Sequence, residues 1–180
     1  MPLTNHFTAP NNYNIAVWKI EESEEDLKKQ LTLTLEQCQA LTKRKTAKGR
    51  QGYLAVRSAL VSLGVLLEEL TTNEEGVPQL PKGFCSLSHS ELYATAVYAQ
   101  ENVGIDIEAY RPKILRIAKK FTHKNELAFL QDIDQIKALT RLWTAKEAVY
   151  KALKKTGLSF SEQIEVMPFD LTASSGSAKV

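Results

Sequence analysis

Cysteine is scarce in this chain of 180 residues, and the two present, Cys38 and Cys85, stand far apart without a C-x-x-C partner. That pattern excludes a recognisable zinc site or disulfide framework and predicts reduced, structural thiols. Long apolar runs are missing too: nothing approaches the roughly 18 consecutive apolar residues that mark a membrane span. The opening "MPLTNHFTAPNNY" has neither the charged nor the apolar region of a secretory signal, so a cytoplasmic setting with no membrane contact is expected. Charge of one sign is not in excess. The 23 Lys and Arg against 21 Asp and Glu leave a net charge of +2, too little to imply nucleic acid by itself. No exact repeat and no low-complexity linker divides the chain.

What is there is a hydrophobic share of 43%, enough to build a core in one moderate domain or two small ones. "NIAVWKI" (14–20) predicts a strand, and the acidic stretch after it a helix with Ser23 as a possible N-cap. Helices are predicted over Leu35 to Leu41, over the apolar pattern of "QGYLAVRSALVSLGVLLEEL", and around "ILRIAKKF", "HKNELAFLQ" and "DQIKALTRLWTAKEAVYKALKK", the last ended by Gly157. Strands are predicted at "FCSLSHS", "YATAVYAQ", "VGIDIEAY" and within "FSEQIEVMPFD". Turn chemistry falls at Gly76, Pro78, Pro81 and Gly83. The order β-αα-β-β-β-ααα-β fits an α+β fold, with two loosely alike lobes meeting near residue 100: 1–102, 103–170, and a polar tail, 171–180, expected to be disordered.

Polar residues sit oddly in four places. In "ENVGIDIEAYR", Asp106 and Glu108 lie at i and i+2 of a strand-like run, so both carboxylates point the same way, a few ångströms apart. Such acids line either the wet face of a half-buried strand or a Mg²⁺ site, since hard cations take carboxylate oxygens. In "RLWTAKEAVYKAL", Lys146 falls in the middle of the apolar stripe of a long helix, which is costly unless the lysine is paired or opens into a cleft. Glu147 and Lys151, one turn apart, form either a surface ion pair or, with Lys146, a carboxylate flanked by ammonium groups that suits a metal-bridged polyphosphate. In "SLSHS", Ser88 and His89 are either structural or phosphate donors. In "KRKTAKGRQGYLAVR", the cations up to Arg50 and Arg57 form either a solvated face or a site for a phosphorylated ligand or nucleic acid.

"SLSHS", "VGIDIE" and "RLWTAKEAVYK", in that order and preceded by "YLAVRSAL" and "GVPQL", resemble the motif series of the Sfp-type 4'-phosphopantetheinyl transferases, enzymes built from two similar lobes. The resemblance spans about residues 44 to 158. It implies transfer of the phosphopantetheine arm of coenzyme A to a serine of an apo acyl- or peptidyl-carrier protein, with release of adenosine 3',5'-bisphosphate. By the same resemblance Asp106, Glu108 and Glu147 would hold Mg²⁺ against the pyrophosphate, and Lys146 and Lys151 would contact the phosphates. Ser88 and His89 would meet the 3'-phosphate, with Arg57 and Arg50 adding charge at the nucleotide end. Glu147 would serve as the base, directly or through a bound water, and Lys151 would stabilise or protonate the leaving phosphate. The edge from Arg111 to Glu126 would face the carrier through Lys113, Arg116, Lys119 and Lys120. The chain is expected to act as a monomer.

Three departures from the family pattern are visible. Gly76-Val77-Pro78 stands where many relatives carry a lysine between glycine and proline, Ser86 replaces a frequent asparagine, and little chain follows Gly157, so the second lobe is expected to be shortened. The alternatives are a non-catalytic binder of coenzyme A or a nucleotide with the same fold, and a nucleic-acid binder using "KRKTAKGR", although no zinc-finger, RRM or KH signature is present.

Overall fold

The computed structural model describes residues 3–9, 13–127, 130 and 134–180. Its strands are β1 (Leu3–Ala9), β2 (Tyr13–Lys19), β3 (Thr71–Thr72), β4 (Pro78–Gln79), β5 (Phe84–His89), β6 (Tyr93–Ala99), β7 (Glu165–Val166) and β8 (Ala178–Lys179). The helices are α1 (Glu24–Lys29), α2 (Leu35–Thr42), α3 (Ala47–Ser62), α4 (Lys113–Ile117) and α5 (Gln135–Leu153). The fold is α+β, as expected. Four strands form an antiparallel sheet in the order β1-β2-β6-β5, with two separate two-stranded ladders, β3-β4 and β7-β8.

Alternation along the strands decides what each sheet face covers. On one face Ala16, Trp18, Ala94, Ala96 and Cys85 pack with Leu54 and Leu60 of α3; the small alanines let a helix approach closely, and every residue of α3 from Gly52 to Leu60 is buried. On the other face Val97 and Ala99 meet Val103, with Phe84 and Ile105 against them. A third cluster surrounds α5, with Ile114, Phe121, Leu139, Leu142 and Val166 at its centre.

Helix boundaries follow local chemistry. Ser23 accepts a hydrogen bond from Asp26 N, as expected of an N-cap, and Thr34 and Gln37 form a reciprocal capping box for α2. The long helix expected to run past residue 62 stops at Ser62, because the chain turns at Gly64 with φ +83. α5 ends at Leu153 through Lys154 in the left-handed region, not at Gly157, which has φ +78 three residues later.

Further differences from the sequence reading follow. "VGIDIEAY" is not a ladder strand: it runs beside β5, tied by side chains, with Ile105 N donating to Ser86 Oγ (3.1 Å) and Ile107 N to Ser88 Oγ (3.4 Å). The tail expected to be disordered returns to pair Ala178 and Lys179 with Val166 and Glu165. Leu3–Ala9, given no element in the sequence reading, pairs with β2. Only a short 3-10 turn, Lys124–Glu126, stands within "HKNELAFLQ"; residues 128–129 and 131 of that predicted helix lie outside the described residues. No helix among the described residues is long and apolar enough to cross a membrane.

Candidate active site

Gly104 sets the geometry of the site. A β-carbon there would overlap the carbonyl oxygen of Ala148 and stand 2.6 Å from Ala152 N, so the 103–108 segment reaches the backbone of α5 only because this residue is glycine. Two residues on, Asp106 is brought against α5 and β5 together. Its Oδ1 accepts from Lys151 Nζ (2.6 Å) and from Ser88 Oγ (2.7 Å), while its Oδ2 is buried with no hydrogen-bond partner among the described residues. Lys151 Nζ also donates to the Ile105 carbonyl (3.2 Å).

Glu108 and Glu147 share this neighbourhood. Burial pushes the Glu108 carboxyl up, the charge of Asp106 pushes it further, and a hydrogen bond from Trp143 opposes both. Burial also raises Glu147, opposed by Lys151 and reinforced by Asp106 and Glu108. Three carboxylates therefore repel one another around a single ammonium. No three His, Cys, Asp or Glu side chains among the described residues stand close enough to hold a metal as they are. The donor set nonetheless fits a hard divalent cation. It is made of carboxylate oxygens, one of them buried and unpartnered, and the Lys151 ammonium occupies the position of positive charge beside Asp106.

A cavity of about 630 Å³ opens along β5, between α3 and α5; none of the three acids lines it, but Ser88 and Lys151, which hold Asp106, do. Ser88, His89 and Lys151 line it, as does Arg57. Gly52 makes room for His89: a β-carbon on α3 at that point would lie 2.5 Å from the imidazole Cε1. The Arg57 guanidinium lies 3.3 Å from the centroid of the Tyr53 ring, and Arg44 stands 3.9 Å from the same centroid. Arg57 donates to the Tyr53 carbonyl (3.0 Å), but its buried Nε has no partner among the described residues. Burial pushes its pKa down to about 10, so this cation is primed for an anion.

Two residues expected at the phosphates lie elsewhere. Lys146 is fully buried, as the apolar stripe implied, but it faces the core around α5 and not the cleft. Its Nζ pairs with Glu126 (2.8 Å) and donates to the carbonyls of Phe121 (2.7 Å), Phe160 (2.8 Å) and Ile164 (2.6 Å). Glu126 in turn accepts from His123 N and Val166 N. With its donors consumed, Lys146 is a structural cross-link. Arg50 is likewise engaged, its Nε on the Glu24 carboxylate (2.8 Å) and a terminal nitrogen on the Arg44 carbonyl (3.0 Å), and it does not line the cavity. Lys43 and Arg44, members of the basic run read as a site for a phosphorylated ligand, do line it, as do Lys154 and Lys155, which were not singled out. The dense run around Arg44 was a signal for the first two; nothing in the spacing pointed to the last two. A more open cavity of about 950 Å³, lined by Lys119, His123, Leu127 and Glu162 among others, shares no residue with the first.

Residues 102–179 match the model of the 4'-phosphopantetheinyl transferase superfamily. The chain is similar to the 4'-phosphopantetheinyl transferase gsp of Aneurinibacillus migulanus, 32% identical over 111 residues, which cover 58% of this chain and 47% of the relative. It is also similar to the 4'-phosphopantetheinyl transferase Sfp of Bacillus subtilis (strain 168), 37% identical over 95 residues, covering 49% of this chain and 42% of the relative. These matches bear out the Sfp-type resemblance read from the motifs. The matches span less than half the length of these relatives.

Proposed function

We propose that this protein transfers 4'-phosphopantetheine from coenzyme A to a serine of an apo acyl- or peptidyl-carrier protein. The observation that carries the reading is the junction of Asp106, Lys151 and Ser88 at a cavity whose other wall holds Arg44 and Arg57. It joins carboxylates for a divalent cation to cations for a polyphosphate.

Asp106, Glu108 and Glu147 would hold Mg²⁺. When bound, the ion would draw charge from the pyrophosphate oxygens and make the phosphorus more electrophilic. Lys151 holds a phosphate oxygen on the cavity side, and His89 offers a donor to the 3'-phosphate, joined by Ser88 once its hydroxyl turns from Asp106. Glu147 takes the proton of the carrier serine, directly or through a bound water. The serine oxygen bonds to the β-phosphorus as the bond from that phosphorus to the bridging oxygen breaks. The electron pair leaves on adenosine 3',5'-bisphosphate, and Lys151 stabilises that charge.

The carrier would meet the surface around α4, where Tyr110, Leu115 and Leu127 are exposed among Lys113, Arg116, Lys119 and Lys120. Two lobes, 1–102 and 103–170, agree with separate cores around α3 and α5, and a single chain carrying both walls of the cavity suits a monomer. Free Cys38 and Cys85 suit a cytoplasmic setting. The test is calorimetric titration of coenzyme A with and without Mg²⁺, followed by detection of adenosine 3',5'-bisphosphate when an apo carrier is added. Metal-dependent affinity and carrier-dependent release are expected; affinity without release would favour a non-catalytic binder.

A further inference from the structure

Among the described residues Lys154 is the one non-glycine residue with positive φ, at φ 52 and ψ 27. The left-handed region crowds a β-carbon against the following carbonyl, and at the end of a helix it is ordinarily filled by glycine or asparagine. A lysine held in that region keeps its backbone strained.

The structure points to a use for its charge. The left-handed turn takes the chain out of α5 and leaves Lys154 on the wall of the 630 Å³ cavity, one turn beyond Lys151. Its Nζ stands 4.5 Å from the centroid of the Phe84 ring on β5, within range of the ring's attraction for a cation. Its charge is felt by the buried Cys85 thiol next in the strand. No carboxylate pairs with it among the described residues, whereas Lys151 pairs with Asp106. The hairpin residues of the cavity wall, Asn73, Glu75, Gly76 and Val77, bring no cation of their own. A ligand phosphate reaching the cavity wall at Cys85 would find a positive partner in Lys154, with Lys155 next in the chain.

We propose that Lys154 is a phosphate-binding residue of the cavity, and that its left-handed backbone is retained because it directs the ammonium at the ligand. This rests on the reading of the cavity as a coenzyme A site. The phosphate is either the pyrophosphate or the 3'-phosphate, which share their chemistry and separate in the test.

Coenzyme A and 3'-dephospho-coenzyme A are titrated calorimetrically into the full chain and into Lys154→Met and Lys154→Gly, and each protein is melted. Lys154→Met keeps the stem and the strain but loses the charge, and should weaken coenzyme A about tenfold, as expected for one charge-assisted contact. Lys154→Gly should show the same loss while melting about 2–4 °C higher, because it relieves the left-handed residue. A loss shared by both ligands assigns Lys154 to the pyrophosphate, and a loss confined to coenzyme A assigns it to the 3'-phosphate. Unchanged affinity for both ligands in Lys154→Met overturns the proposal. Failure of the unaltered protein to bind either ligand overturns the coenzyme A reading itself, and this inference with it.

Discussion

Lys151 Nζ sits 2.6 Å from Asp106 Oδ1, while the second oxygen of that carboxylate is buried without a partner among the described residues. A carboxylate satisfied on one oxygen and bare on the other is half of an ion-binding arrangement. Asp106→Asn keeps the volume and removes the charge. The Mg²⁺-dependent gain in coenzyme A affinity should vanish and transfer should fall about 100-fold or more, with the circular dichroism unchanged. Metal dependence like that of the unaltered protein would remove Asp106 from the ion site.

Glu108 and Glu147 make a second prediction, through pH. Both hold their protons more tightly in the fold than in the unfolded chain, by burial first and then by neighbouring charge. The stability this contributes is full below the unfolded carboxylate value, about 4.3, and is lost as pH rises through the raised folded values. In EDTA, Glu147→Gln should therefore melt above the unaltered protein at pH 7.5, and the gap should close toward pH 4.5. Mg²⁺ should raise the melting temperature of the unaltered protein more than that of the variant. A gap that widens on acidification would reverse the sign of this argument.

Gly104 makes a third. Alanine there would drive a methyl group into the backbone of α5 at Ala148, which cannot swing aside as a side chain can. Gly104→Ala should cost about 1–3 kcal/mol or more by overpacking, measured by urea denaturation, and should weaken metal-dependent ligand binding because Asp106 moves with the segment. A neutral substitution would mean that the segment and helix are not locked together.

Lys146 makes a fourth, and it separates a structural lysine from a binding one. Lys146→Met strands the buried Glu126 carboxylate and leaves three carbonyls without their donor, at a cost of about 3–5 kcal/mol, while coenzyme A affinity per folded molecule stays the same. Lost affinity at unchanged stability would return Lys146 to the phosphates.

These residues also mark how far the sequence could be read. The nearness of Asp106 to Glu108 and of Glu147 to Lys151 was legible because spacing converts into shared faces, although Lys151 pairs with Asp106 and not with Glu147. The burial of Lys146 was legible in the same way. Its partner was not, since Glu126 lies twenty residues upstream by number and on a different element, beyond the reach of any local period. The 103–108 segment has the alternation of a strand, but its neighbours β5 offers serine hydroxyls where a ladder would need backbone groups in register. Pattern cannot distinguish those two ways of holding an extended chain. Arg50 failed for a related reason: a cationic run says nothing of which members already have partners, and Glu24 had taken this one.

The most direct measurement is intact-mass spectrometry of a panel of apo carrier proteins, each incubated with this protein, coenzyme A and Mg²⁺, beside an EDTA control. The account predicts a metal-dependent gain of one phosphopantetheine on at least one carrier, absent when Asp106→Asn replaces the unaltered protein. No gain on any carrier, with coenzyme A measurably bound, would contradict the transferase reading and leave a binding protein in its place.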